Sequence, residues 1–105
     1  IVMLAILLFI LSISVSPPRP IAPALLTITI RVPDPKGYVD REMCLHVDDG
    51  IPVRSCWPYW GQRILQTTVR DVPEGIYRIW VTLQTESSPV VTVTVLSQGG
   101  SSGVH

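Results

Sequence analysis

The feature that most constrains this chain is the strict alternation in IYRIWVTL, Ile76 to Leu83, where Tyr77, Ile79, Val81 and Leu83 fall on one face and Arg78, Trp80 and Thr82 on the other. Successive side chains of a strand point to opposite faces, so this is the period of a half-buried β-strand. The same period runs through LLTITIRV (Leu25 to Val32), EMCLHV (Glu42 to Val47) and VVTVTV (Val90 to Val95), and less clearly through VRSCW (Val53 to Trp57) and RILQTTV (Arg63 to Val69). Turn-forming clusters separate the runs: PDPKG, Asp48-Asp49-Gly50, Asp71 to Gly75, and TESSP. Short strands at even spacing, with no helical stretch after residue 20, predict an all-β fold, a small sandwich of six to seven strands over residues 25–97.

Hydrophobic residues make up 47% of the 105, and the excess sits at the start. Residues 1–18 carry no charge, and Ile1 to Val15 is interrupted only by Ser12 and Ser14. An apolar run without amphipathic period reads as a hydrophobic helix over residues 1–16. It is either a signal peptide cut near Ser14-Val15-Ser16 or a membrane anchor, with a buried core segment as the third reading. SPPRPIAP follows, and its four prolines fix φ and remove amide donors. Residues 17–24 are therefore expected to form an extended stem, and the Gly/Ser-rich residues 98–105 a flexible tail. Signal and anchor both place the sandwich outside the cytosol, at a cell surface, in the medium or in an organelle lumen, with membrane contact through residues 1–16.

Eight basic and eight acidic residues are scattered along the chain, so the clustered Lys and Arg that hold nucleic acid are missing. There is no phosphate-binding glycine loop and no Gly-x-Ser-x-Gly elbow. The carboxylates sit largely in turns, with no pair set to face across a cleft for acid–base work. The expectation is no catalytic residue, no cofactor and no enzyme activity.

Both cysteines lie in CLHVDDGIPVRSC. If Cys44 stands opposite Cys56 in an antiparallel pair, Val47 meets Val53, Leu45 meets Ser55 and Met43 meets Trp57 on the inner face, and His46 meets Arg54 on the outer. Asp49-Gly50-Ile51 is then a three-residue hairpin loop with Gly at the positive-φ position. Alternation on both strands agrees with this register, which favours a Cys44–Cys56 disulfide. The rival readings are weaker. The spacing is too long for a Cys-x-x-Cys redox motif, and a zinc site would have Cys44, Cys56 and His46 but lack a fixed fourth ligand. Asp48 and Asp49 read as turn formers rather than calcium ligands. No metal is expected.

The run TTVRDVPEGIYRIWVTL, with Pro73, Gly75 and Tyr77, resembles the strand–turn–strand step of immunoglobulin-like, fibronectin type III-like and PEGA-type domains of extracytoplasmic proteins, and Asp49, Gly50, Pro52 and Val53 resemble a PEGA-type hairpin. The resemblance spans about residues 25–96. It implies an immunoglobulin-like sandwich in which Tyr77 is a structural corner, its hydroxyl bonded to nearby backbone. It also implies a non-catalytic extracytoplasmic module: a spacer, an adhesion unit or an accessory binding domain. The alternative is the anchor, stem and accessory domain of a larger type II membrane glycosyltransferase or hydrolase.

Four aromatics are candidates for contact with a glycan or protein partner. Trp57, Tyr59 and Trp60 crowd a loop after a strand, and Trp80 stands on the outer face of the clearest strand. Trp and Tyr dominate binding hot spots, but small cores also need large side chains. Core filling is the competing role for Trp57 and Tyr59, and covering of the sheet for Trp80.

Overall fold

The alternating segments assemble into two packed antiparallel sheets. The computed structural model describes residues 11–97. Its strands are β1 (Ser12–Ser16), β2 (Ala24–Arg31), β3 (Glu42–Asp48), β4 (Pro52–Pro58), β5 (Ile64–Val72), β6 (Gly75–Leu83), β7 (Glu86–Ser87) and β8 (Val91–Val95). One sheet has the order β1-β2-β5; the other runs β4-β3-β6, with β7 and β8 sharing the far edge of β6. The fold is all-β, with eight strands in two sheets and no helix among the described residues.

The core is the set of inward positions that the alternation defines. Ile28, Ile30, Met43, Ile79 and Val81 are fully buried, with Leu26, Leu45, Leu83 and Val95 nearly so. Each such side chain contributes about 1.5–3 kcal/mol by leaving water. Among the described residues Ser88 is the one buried polar residue: its Oγ accepts from Val81 N–H at 2.9 Å and donates to Pro89 O at 3.1 Å.

The first strand corrects the expected N-terminal helix. Ser12–Ser16 pairs with β2 from Ser12 opposite Arg31 to Ser16 opposite Thr27, and Leu11 is buried in the core. The apolar residues are part of a sheet here because Ile13 and Val15 alternate with serines and pack against the core. Residues 1–10, the rest of that expected helix, lie outside the described residues, as does the tail 98–105. No helix among the described residues is long and apolar enough to cross a membrane. Residues 17–24 run along the sandwich: Pro20 is fully buried, Ala22 N–H donates to Leu96 O at 2.8 Å, and Leu96 N–H donates to Pro20 O at 2.9 Å.

The two sheets differ in width, and this shapes the surface. β5 ends the narrower sheet and β4 the wider one, and neither has a partner on its outer edge among the described residues. The wider sheet overhangs, so inward-pointing residues of β4 find nothing to cover them: Val53 is 61% exposed and Ser55 is exposed. The open side is a cleft of about 530 Å³ whose walls include Leu45, Val53, Trp57, Val69 and Tyr77.

Candidate functional site

The chemically distinctive groups sit on the outer face of the wider sheet, where β4, β3 and β6 lie side by side. The β3/β4 register sets Cys44 opposite Cys56, His46 opposite Arg54 and Val47 opposite Val53. The β3/β6 register sets Cys44 opposite Thr82 and His46 opposite Trp80. Two parallel rows result, Cys56–Cys44–Thr82 and Arg54–His46–Trp80. Directly opposed strand residues have their side chains on one face, and i, i+2 neighbours share it.

A disulfide joins Cys44 to Cys56, with Cα atoms 4.1 Å apart. The pair is asymmetric: Cys44, on an internal strand, is 6% exposed, while Cys56, on the unpartnered edge strand, is exposed. Glu42 stands two residues before Cys44 on the same face. Its carboxylate oxygen and both sulfurs lie within 4.8 Å of one another.

The second row is held firmly. The His46 ring stacks on Trp80 with centroids 4.9 Å apart and planes 1° from parallel. His46 Nε2 and Thr82 Oγ1 share a hydrogen bond of 2.9 Å. Burial, and then the nearby Arg54 charge, push the imidazole below its ordinary pKa of 6.5, so the ring is neutral at neutral pH. This packing gives Trp80 a structural partner within the sheet.

The other residues singled out from the sequence fall in different places. Trp57 is half-buried in the cleft wall. Tyr59 is fully buried: its hydroxyl donates to Gln62 O, and its backbone is tied to Arg41 O at 2.9 Å and Asp40 N–H at 2.8 Å. It is a core residue, with no surface to offer a partner. Trp60, its neighbour, is 65% exposed. Tyr77 Oη donates to Pro73 O at 2.7 Å, closing the turn that Gly75 makes at φ 153°. Burial raises the pKa of both Tyr59 and Tyr77 above the usual 10. Asp48 Oδ1 accepts from Gly50 N–H at 2.8 Å and Asp49 Oδ1 from Ile51 N–H at 3.1 Å, so both carboxylates are engaged in the turn.

Glu42 is the residue that sequence reasoning missed. The signal for it was its i, i+2 spacing from Cys44, which puts both on one face of a strand. His46, which the weaker zinc reading set beside the sulfurs, is committed to Thr82 and Trp80.

No known protein family and no curated protein matches the sequence. Solved structures that share the fold include a superoxide reductase (neelaredoxin) from Ignicoccus hospitalis and a point variant of it. Both are 11% identical to this chain with a TM-score of 0.54, covering 85% and 83% of it, respectively, and 80% of the other chain. At that identity the likeness carries the fold alone. It still corrects three expectations. Attribution to immunoglobulin-like, fibronectin type III-like or PEGA-type domains does not stand, because the structures matched are superoxide reductases. A non-catalytic membrane or extracytoplasmic module, whether free-standing or an accessory domain, no longer follows from the sandwich, since enzymes share this fold. The expectation that the chain is not an enzyme loses its footing for the same reason.

Proposed function

We propose that the domain is a thiol–disulfide redox protein whose working group is the Cys44–Cys56 bridge. The observation that carries this reading is the placement of the bridge: on the outer face of the sheet, with Cys56 exposed on an edge strand that has no neighbour among the described residues. Exposed disulfides are the labile and catalytic ones, whereas structural ones resist reduction. The likeness of fold to a redox enzyme agrees with this reading and adds no residue to it.

The chemistry is exchange. A thiolate of a dithiol, small or protein-borne, attacks Cys56 Sγ, because Cys44 is shielded by its neighbours. The sulfur–sulfur bond breaks, Cys44 leaves as thiolate and takes a proton, and the dithiol's second sulfur displaces Cys56. Two electrons and two protons pass to the domain, and the partner departs as a disulfide. An oxidising compartment would re-form the bridge between turnovers. Trp60 is the aromatic best exposed to meet a protein partner.

Superoxide reduction itself is not proposed. One-electron chemistry of that kind belongs to flavins and to haem and other metal centres. Among the described residues, the single trio of metal-ligating side chains has both sulfurs tied to each other. The test is to mix the oxidised protein with reduced glutathione, quench with acid and map the adduct by mass spectrometry. A mixed disulfide at Cys56 in the native protein supports the reading. Adducts only after unfolding, or equally at Cys44, would refute it.

A further inference from the structure

Opening the bridge creates a different site from the same side chains. Glu42, Cys44 and Cys56 supply three ligand-type atoms within 4.8 Å of one another, and no other trio of His, Cys, Asp or Glu does so among the described residues. Two of the three come from one strand at i, i+2 spacing, and the third stands directly across in the β3/β4 register. The backbone alone therefore brings them to one spot. The geometry points to a zinc site formed by the Glu42 carboxylate and the Cys44 and Cys56 thiolates in the reduced protein. This inference rests on the reducible bridge proposed above.

Size and chemistry both fit. Tetrahedral zinc binds sulfur at about 2.3 Å and carboxylate oxygen at about 2.0–2.2 Å. Its ligand atoms then stand roughly 3.6–3.8 Å apart. Reaching that spacing needs the freed sulfurs to part and the exposed Glu42 side chain to close in, which are rotamer changes on a fixed sheet. Thiolates are soft ligands and select zinc over magnesium or calcium. Two thiolates and one carboxylate leave the fourth position open to water, the arrangement of a reactive rather than a purely structural zinc. His46 does not enter the set, because Thr82 and Trp80 hold its ring.

The steps balance. A dithiol gives two electrons and two protons to the bridge and leaves as its own disulfide. Zinc then displaces the two thiol protons. In the oxidised protein the sulfurs are bonded to each other and the site does not exist. Bridge formation and metal binding therefore exclude one another, and oxidation releases the ion.

The experiment uses the whole chain, reduced without oxygen and freed of reductant, with circular dichroism to confirm its fold. Titration with cobalt(II) is expected to raise a thiolate-to-cobalt charge-transfer band at one ion per chain, bleached on adding zinc, while the oxidised protein takes none. Glu42→Gln, which leaves both cysteines in place, is expected to weaken binding about tenfold or more. Glu74→Gln, in the turn before β6, is expected to leave it unchanged. A folded, reduced protein that binds no cobalt overturns the zinc site and leaves the redox reading standing. A bridge that opens only on unfolding sinks both. Equal affinity in the Glu42→Gln variant, or binding by the oxidised protein, overturns the assignment of these ligands.

Discussion

Removing the bridge by the double change Cys44→Ala and Cys56→Ala is expected to weaken the fold without abolishing it. The cysteines are 12 positions apart. On the chain-entropy account, closing a loop of that length stabilises by about 3 kcal/mol. A domain of this size has roughly 5–13 kcal/mol in total at 0.05–0.15 kcal/mol per residue, so a margin remains. The hairpin has other support: β3 pairs with β4 from Glu42 opposite Pro58 to Asp48 opposite Pro52, and with β6 on its other side. The assay is urea unfolding followed by tryptophan fluorescence and circular dichroism. With a slope of about 1–1.5 kcal/mol per molar for a small domain, the midpoint should fall by about 2–3 M. Chemical reduction of the unaltered protein should match it. A shift below about 0.5 M would mean the hairpin is already ordered in the unfolded chain, so that the loop-entropy reasoning fails. Unfolding without denaturant would make the bridge an obligate staple and remove the basis of the redox reading.

Three further outcomes follow from the packing. Tyr59→Ala should cost about 3–5 kcal/mol in the same urea assay, while Trp60→Ala, one residue on, should stay within about 0.5 kcal/mol; equal costs would contradict the burial of Tyr59. From neutral pH stability should be level up to about pH 10 and fall above it: the unfolded tyrosines ionise at their ordinary value while Tyr59 and Tyr77 resist, so the native state holds more protons and loses stability as pH rises through their elevated pKa values. Tyr77→Phe should reduce that alkaline slope, read as urea midpoint against pH, and an unchanged slope would refute the link. Gly50→Ala, at φ 111° with open space around it, should cost about 1 kcal/mol or more through backbone strain alone, and a neutral result would mean the loop can change its turn.

Much of the sandwich was legible because its signal is local. Period-two alternation marked β2, β3, β6 and β8 within a residue or two, and the cysteine-anchored register placed Val47 opposite Val53 and His46 opposite Arg54 as observed. β1 was hidden by its neighbours. Unbroken apolarity before it swamped the alternation of Ser12, Ser14 and Ser16 with Ile13 and Val15, although the period was there to read. The exposure of Val53 could not be read at all, because it depends on one sheet being wider than the other. Tyr59 and Trp60 are adjacent loop residues with opposite fates, and no periodicity orients a loop. Both relations behind the Glu42 trio were legible, the i, i+2 spacing from Cys44 and the Cys44–Cys56 register, but only the structure brings the Glu42 carboxylate to the two sulfurs.

The most direct test is the reduction potential of Cys44–Cys56. The chain is equilibrated in glutathione and dithiol buffers, thiols are trapped by alkylation and counted by mass spectrometry, and circular dichroism follows the fold at each point. The expected potential lies between about −270 and −120 mV, the range of working dithiol proteins, with the β-sheet spectrum kept in both states. A potential below about −300 mV, typical of structural bridges, or thiols that emerge only as the sheet melts, would contradict it.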